Sequence, residues 1–366
     1  MQGILGQTKA IELLQLALRS DRLHHAYIFH GPVGVGKLTT ACRLARVLLC
    51  HDPQVDSVGQ TAACGVCPSC RLLGSATSSA TSANAVAHPD LHMVTKELAR
   101  YSRDASVRGR KLTSIPVDVL RSALIEPVYR APQLGSKKVF ILDQAHLLND
   151  TGQNILLKTL EQPPPGTYLI LVTESQDKLL ITLRSRCQRV AFVPLSDQVV
   201  GQWLDRQSFE LTADQRTWLL SFVAGSLGRA QLVVDYGLFE WAQTVLPALD
   251  QMAQGRFPVD MGPQMAQRID AFAKAWVDQH DGASKEAANR QAAGLMWSVI
   301  GQHARQNVVA SSARCRVGEP EAAGQVLDPW LGVIDALETA WRQLGMGVNM
   351  GLVTDHLVSR MHRSLG

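Results

Sequence analysis

His30-Gly31-Pro32-Val33-Gly34-Val35-Gly36-Lys37 is the stretch that decides how this chain is read. It follows the apolar run Ala26-Tyr27-Ile28-Phe29, which predicts a buried parallel strand. It precedes Leu38 to Cys50, where Ala41, Leu44, Ala45, Leu48 and Leu49 recur at helical spacing. Strand, glycine-rich turn and helix are the context in which a GxxxxGK match reads as a phosphate-binding P-loop. The glycines let the backbone wrap with its N–H groups turned inward, and the helix N-terminus adds partial positive charge. Lys37 would then reach the outer phosphates. One position departs from the pattern. The Ser or Thr whose hydroxyl holds magnesium is replaced by Leu38. Thr39 lies one residue on, rotated by roughly 100° about the helix, and does not take the same place. The loop is expected to hold phosphate with an impaired metal site.

A chain of 366 residues predicts two or three domains. With 46% hydrophobic and 19% charged residues it belongs among soluble globular chains, and a formal charge of +4 is too mild to argue for nucleic acid. No apolar run is long enough to predict a transmembrane helix. The first residues lack the charged and apolar regions of a signal peptide. The cytosol is therefore the expected compartment, where seven cysteines read as thiols or metal ligands rather than disulfides.

Cys64, Cys67 and Cys70, each two residues apart, form a knuckle whose sulfurs can converge as tetrahedral zinc requires. Cys50, at the end of the P-loop helix, is the nearest fourth ligand; His51, His88 and His92 are its rivals. Four filled positions would make such a site structural. Cys42, Cys187 and Cys315 read as buried thiols, and His24 and His25 as part of a loop before the first strand. Gly74 to Ala87, rich in Ser, Ala and Thr, reads as a flexible insertion. Arg100, Arg103, Arg108, Arg110 and Lys111 make a basic cluster near Tyr101, better read as a solvated loop than as a DNA contact.

Alternating α/β patterning resumes at Pro116. A helix carrying Val117, Val119, Leu120 and Leu124 leads to the strand Lys138 to Leu142, which ends in Asp143. A carboxylate there normally holds magnesium in P-loop folds. Gln144 stands where ATPases of this kind carry a water-activating glutamate, and glutamine cannot accept a proton at neutral pH. A helix over Gly152 to Glu161 stops at Pro163-Pro164-Pro165, a strand over Tyr168 to Val172 ends at Thr173, and a loop from Leu183 enters a last strand ending near Phe192. The fold class is therefore α/β, a P-loop domain over 1–195 with a parallel sheet and an inserted zinc module at about 50–112. An all-α lid over 196–245 is expected from helices at Val199 to Leu204, Ala213 to Ala224 and Ala230 to Leu238. An all-α domain over 246–366 is expected from helices at Pro263 to Gln279, Lys285 to Ser312, Pro329 to Leu344 and Met350 to Met361, with Gly318 to Gly324 as a connecting loop.

These residues carry a resemblance. The chain is similar to the bacterial clamp-loader subunits of DNA polymerase III, members of the AAA+ family, and most to their delta-prime branch. The likeness rests on Gly6-Gln7, Arg22 to Tyr27, the P-loop, the cysteine knuckle, His88-Pro89-Asp90-Leu91 and Leu142-Asp143-Gln144-Ala145. It continues through Leu157 to Glu161 with its prolines, Ser185-Arg186-Cys187, Gly225 to Ala230 and Asn349 to Leu352. The resemblance implies a P-loop AAA+ module, a helical lid and a helical collar that joins a hetero-pentameric ring with gamma/tau and delta subunits. Such a ring places a sliding clamp on primed DNA. It implies that Arg186 acts in trans on a neighbour's ATP site, and that Arg229 is the lid arginine of this chain's own site. The candidate ATP or ADP contacts are Gly31, Gly34, Val35, Gly36, Lys37, Thr39, Asp143, Thr173 and Arg229; the candidate zinc ligands are Cys50, Cys64, Cys67 and Cys70. The alternative within the family is an ATP-hydrolysing gamma/tau-type motor, against which Leu38 and Gln144 speak. An unrelated zinc-containing P-loop enzyme is more distant, since nothing supplies a second substrate site.

Overall fold

The computed structural model describes residues 3–57, 59–74, 88–101, 114–207, 209–280, 283–315 and 320–366, of which Arg100, 313–315 and 320–328 are described by their backbone alone. The Ser/Ala/Thr-rich run beyond Gly74, and Arg103, Arg108, Arg110 and Lys111, lie outside the described residues. The chain forms two compact units, Met1–Phe209 with Val223–Ala230, and Glu210–Phe222 with Gln231–Gly366.

The first unit is built on five strands. In chain order its elements are α1 (Thr8–Arg19), β1 (Ala26–His30), α2 (Lys37–Leu49), the short strands β2 (Gln54–Val55) and β3 (Thr61–Ala62), α3 (Pro68–Leu73) and β4 (Leu91–Val94). Next comes α4 (Val117–Leu120), which runs on through a π-helical stretch, Arg121–Ile125, and a helical turn, Glu126–Val128. β5 (Lys138–Leu142), α5 (Asp150–Glu161), β6 (Thr167–Thr173), α6 (Ile181–Arg184), β7 (Gln188–Ala191) and α7 (Asp197–Gln207) complete it. The sheet order is β4-β5-β6-β1-β7 with every pair parallel. The register sets Ala26 against Leu169 and His30 against Thr173 and Ala191, so the P-loop leaves the sheet between two strands.

Strands that are apolar at successive positions must be covered on both faces, and these are. On one face Tyr27, Phe29, Ile141, Ile170 and Val190 meet Leu14 of α1 and Ala41, Leu44 and Leu48 of α2. On the other, Ile28, Phe140, Leu142 and Leu171 meet Leu120 and Leu124 of α4, Leu156 and Leu160 of α5 and Leu183 of α6. Strand β4 was not expected from the sequence; it is a four-residue edge with only Leu91 and Val94 buried, too short to show a period. The segment expected as a loop from Leu183 starts in the short helix α6, because Leu183 buries its side chain under the sheet.

In the second unit the helices are α8 (Ala213–Val223), α9 (Leu227–Asp235), α10 (Leu238–Met252), α11 (Met261–Gln279), α12 (Lys285–Cys315), α13 (Pro320–Gly345) and α14 (Met350–Leu365), although α8 ends and α9 begins in residues of the first unit. The last four pack in sequence order, and α14 returns against α11 to close a bundle cored by Ile269, Phe272, Met296, Ile300, Val333 and Leu357. Two corrections follow. The helix expected over Ala230 to Leu238 is two helices, parted at Gly237, whose φ of +59° breaks the ladder. The second of them, α10, was missed because Pro247 lies inside it. Pro329 likewise sits within α13 rather than starting it, so 320–324 of the expected connecting loop are helical. No described helix is long and apolar enough to cross a membrane.

Candidate nucleotide site, cysteine centre and Arg186

The loop between β1 and α2 has the backbone its glycines permit. Gly31, Gly34 and Gly36 all have positive φ, and Gly36 caps α2 at φ +99°. A Cβ on Gly31 would stand 2.1 Å from the Phe192 carbonyl oxygen, so no other residue fits. Val35 is buried and Leu38 packs against the apolar face beneath, which is why no hydroxyl is present there. Thr39 is half-buried. Lys37 is folded back onto its own loop, its ammonium donating to the carbonyls of Gly31 at 2.6 Å and Pro32 at 2.5 Å. Burial lowers its pKa, against the opposing pull of Glu174 and Asp143.

Asp143 leaves the end of β5 into the same region. Burial raises its carboxyl to about 6, assisted by Glu97, while the Gln144 amide and Lys37 pull it down. Gln144 follows in a left-handed conformation, φ +53°. Thr173, at the end of β6, donates its hydroxyl to Ser175 O at 2.9 Å and lies 3.4 Å from His146 Nδ1. His146 Nε2 in turn stands 3.9 Å from Glu174. Burial lowers the His146 pKa, opposed by Glu174 and aided by Lys178, Lys37 and Lys96.

The segment Gly225 to Ala230 closes on the loop. Gly228 N donates to Gly34 O at 3.0 Å, and a Cβ on Gly34 would stand 2.2 Å from Ser226 Oγ and 3.1 Å from Gly228 Cα. Two glycines thus allow a backbone-to-backbone approach that side chains would block. Arg229, next in the chain, is brought alongside. From the other direction the Gln7 side chain, 2% exposed, donates to Val35 O at 3.2 Å and Val193 O at 2.7 Å and accepts from Val193 N.

Cys50, Cys64, Cys67 and Cys70 converge as expected, with all four sulfurs within 4.8 Å of one another. Zinc–sulfur bonds near 2.3 Å make a tetrahedron with edges of about 3.8 Å. Cys50–Cys64 at 3.5 Å, Cys50–Cys67 at 3.9 Å and Cys64–Cys70 at 4.0 Å match it. Backbone amides of Cys64, Cys67 and Cys70 donate to the sulfurs of Cys50, Cys64 and Cys67. Two of the three rival histidines are engaged elsewhere. His88 Nε2 meets Ser69 Oγ at 2.8 Å, and its Nδ1 accepts from Asp90 N; His92 stacks on Phe140. Asp90, 1% exposed, receives the amides of Gln133 at 2.6 Å and Leu134 at 2.8 Å. The His-Pro-Asp segment therefore fastens the cysteine module to the sheet. Cys187 is buried as expected and Cys42 only half-buried against the core, and burial pushes their thiols up to about 12 and about 11.

Arg186 lies on the turn between α6 and β7. Its Nη2 pairs with Glu161 at 2.7 Å and its Nη1 donates to Thr182 O at 2.8 Å. Arg184 is separately paired with Asp177 at 2.8 Å. Arg189 is exposed on edge strand β7, beside a cleft of about 480 Å³ that also contains His30, Gln176 and Arg184.

A family model described as DNA polymerase III, delta subunit, matches residues 6–196, from the N-terminal glutamine clamp to the end of the sheet. The chain belongs to the DNA polymerase III delta-subunit family. Among relatives, the delta-prime subunit of DNA polymerase III from Escherichia coli is 32% identical over 65% of this chain and 63% of its own length. That from Pseudomonas aeruginosa is 32% identical over 62% and 61%. The gamma/tau subunit of Mycobacterium bovis is 36% identical over 56% of this chain but 30% of that one. The matched stretch spans about three fifths of the length of the delta-prime relatives.

Within this delta-subunit family member, the structure brings together Lys37, Asp143 and Thr173 as the sequence predicted, and adds His146 and Glu174, which sequence reasoning missed. A histidine three residues past Asp143 was the available signal, but only the β5–α5 turn shows that it faces Thr173. Gln7 was legible as a family residue, not as the clamp on Val35. Glu161 was quoted only as part of a helix; its partner Arg186 is 25 residues on, beyond the reach of local spacing.

Proposed function

We propose that this chain is a delta-prime-like, non-motor subunit of a clamp-loader ring in DNA replication. It would assemble with gamma/tau and delta subunits into a hetero-pentamer that loads a sliding clamp onto primed DNA in the cytoplasm. The observation that carries the reading is the state of the P-loop. Lys37 is bound to the carbonyls of Gly31 and Pro32, and the position after it is an apolar side chain packed on the sheet. A phosphate would have to win the lysine from its loop, and magnesium would find no hydroxyl. Asp143 with its raised pKa is a poor metal ligand below about pH 6, and Gln144 offers no base. ATP or ADP, if held, would rest on Gly31, Gly34, Val35, Gly36, Lys37, Thr39, Thr173 and Arg229 without being turned over.

The chemistry this chain supplies is then Arg186, offered to the ATP site of a neighbouring subunit. A guanidinium placed there neutralises charge growing on the transferred phosphoryl group. Zinc on the four cysteines would be structural, since every coordination position is filled by sulfur. The test is Arg186→Ala in the reconstituted ring, read as DNA-stimulated ATP hydrolysis. An arginine finger is worth roughly 10³- to 10⁵-fold at one site; the total falls less, because other sites keep their own. Arg184→Ala and Arg189→Ala control for surface charge. Equal losses in all three, or none at Arg186, would remove the trans role.

A further inference from the structure

We infer that Glu161 is a positioning residue for Arg186, holding the guanidinium in a set orientation before a neighbour's phosphate arrives; this rests on the trans role of Arg186 proposed above. An arginine on a surface turn samples many rotamers, and ordering it on binding costs free energy that a preorganised one does not lose. Arg186 is not left to sample. Glu161 Oε1 takes Nη2 at 2.7 Å while Thr182 O takes Nη1 at 2.8 Å. Two contacts on different nitrogens fix the plane of the fork, and they use only two of its five N–H donors. Three remain for phosphate oxygens.

The helix end that carries Glu161 is held by its neighbours. Glu161 is the last residue of α5, whose preceding turn holds Thr159 at 1% and Leu160 at 2% exposure. The carbonyl of Leu160 accepts from His25 Nε2 at 2.9 Å, which pins that helix end to the residue leading into β1. Burial lowers the His25 pKa, while the bond to the Leu160 carbonyl opposes that shift. The carboxylate is also selective: Arg184, two residues earlier, is occupied by Asp177. A chain of bonded groups thus runs from the sheet through His25, α5 and Glu161 to the one arginine of the turn.

The experiment uses the reconstituted ring with Glu161→Ala, Glu161→Gln, Arg186→Ala and the Glu161→Ala/Arg186→Ala double variant. Ring assembly and melting temperature are measured beside DNA-stimulated ATP hydrolysis. Because the pair is partly exposed, Glu161→Ala is expected to lower the turnover number about two- to fivefold, with KM for ATP little changed and melting unaltered. Glu161→Gln, which keeps an acceptor oxygen, should recover part of the loss. In the Arg186→Ala background removing Glu161 should change nothing further. An increase in turnover on Glu161→Ala would make the pair a restraint and overturn the inference. An equal loss with or without Arg186, or no loss where Arg186→Ala has one, would also overturn it while leaving the trans role intact. If Arg186→Ala itself has no effect, the trans role fails first.

Discussion

At the scale of single residues, the P-loop region holds buried charges whose balance the protein itself sets. Asp143 shows the consequence most directly. Its carboxyl titrates near 6 in the fold, against 3.8 when free, because burial opposes its ionisation more than Lys37 favours it. Between those two values the folded chain binds more protons than the unfolded one, so stability falls as pH rises through that window and stays low above it. Asp143→Asn removes the charge while its amide oxygen can still accept from the Gln144 backbone. Chemical denaturation should show the variant nearly isostable with the parent at pH 4. At pH 7 it should be more stable by an amount on the order of 1–3 kcal/mol. A variant equally destabilised at both pH values would mean that the ionised carboxylate is instead held favourably.

At the scale of elements, the cysteine centre joins the end of α2 to a module with little apolar core of its own. Cys50 ends the P-loop helix, and Cys64, Cys67 and Cys70 belong to the knuckle and to α3. Beyond those sulfurs the module is tied by Leu73 in the core, by Gln15, which exchanges two hydrogen bonds with Thr61, and by the bond of Ser69 to His88. A tetrahedral metal would therefore be its main cross-link. Metal analysis of protein purified without chelator should give close to one zinc per chain. Cys67→Ser should lose it and lower Tm by roughly 5–10 °C, the size expected when a few kcal/mol leave a unit this large. Unchanged zinc content in Cys67→Ser would mean that the metal lies elsewhere. The Gly34–Gly228 contact is the second element-scale device. It fixes the start of α9 against the loop by a backbone bond, independent of any side chain.

At the scale of the molecule, the P-loop, the cysteine cluster and Arg186 all lie in the first unit. The second holds a helical bundle whose described ion pairs, such as Arg360 with Asp335, are partly exposed. The core of that bundle is aliphatic and aromatic, and its buried Trp297 and Phe272 pack against the more exposed Trp341 and Trp276. On the proposed non-motor reading, this chain's own P-loop turns over no ATP. The isolated chain should accordingly show no multiple turnover of ATP above background in a coupled assay. Lys37→Ala should leave that null result and the ring's activity unchanged within about twofold. Steady turnover by the isolated chain, abolished by Lys37→Ala, would make it a motor of the gamma/tau type.

Four of the five strands, the P-loop, the three-cysteine knuckle and Asp143 could be named from sequence because each depends on local order: an apolar run, a glycine spacing, a cysteine repeat, a residue that ends a strand. The missed α10, and the misplaced start of α13, have a local cause too, since Pro247 and Pro329 carry a helix-breaking signal that packing overrides. What required tertiary structure is every partnership between distant positions. Only the fold brings the Cys50 sulfur to the other three while His88 is occupied by Ser69. Only the fold sets Gln7 on Val35, Gly228 on Gly34 and Glu161 on Arg186. Sequence spacing specifies which groups a short segment can present; which groups they meet depends on how sheet and helices pack, and that is a property of the whole core.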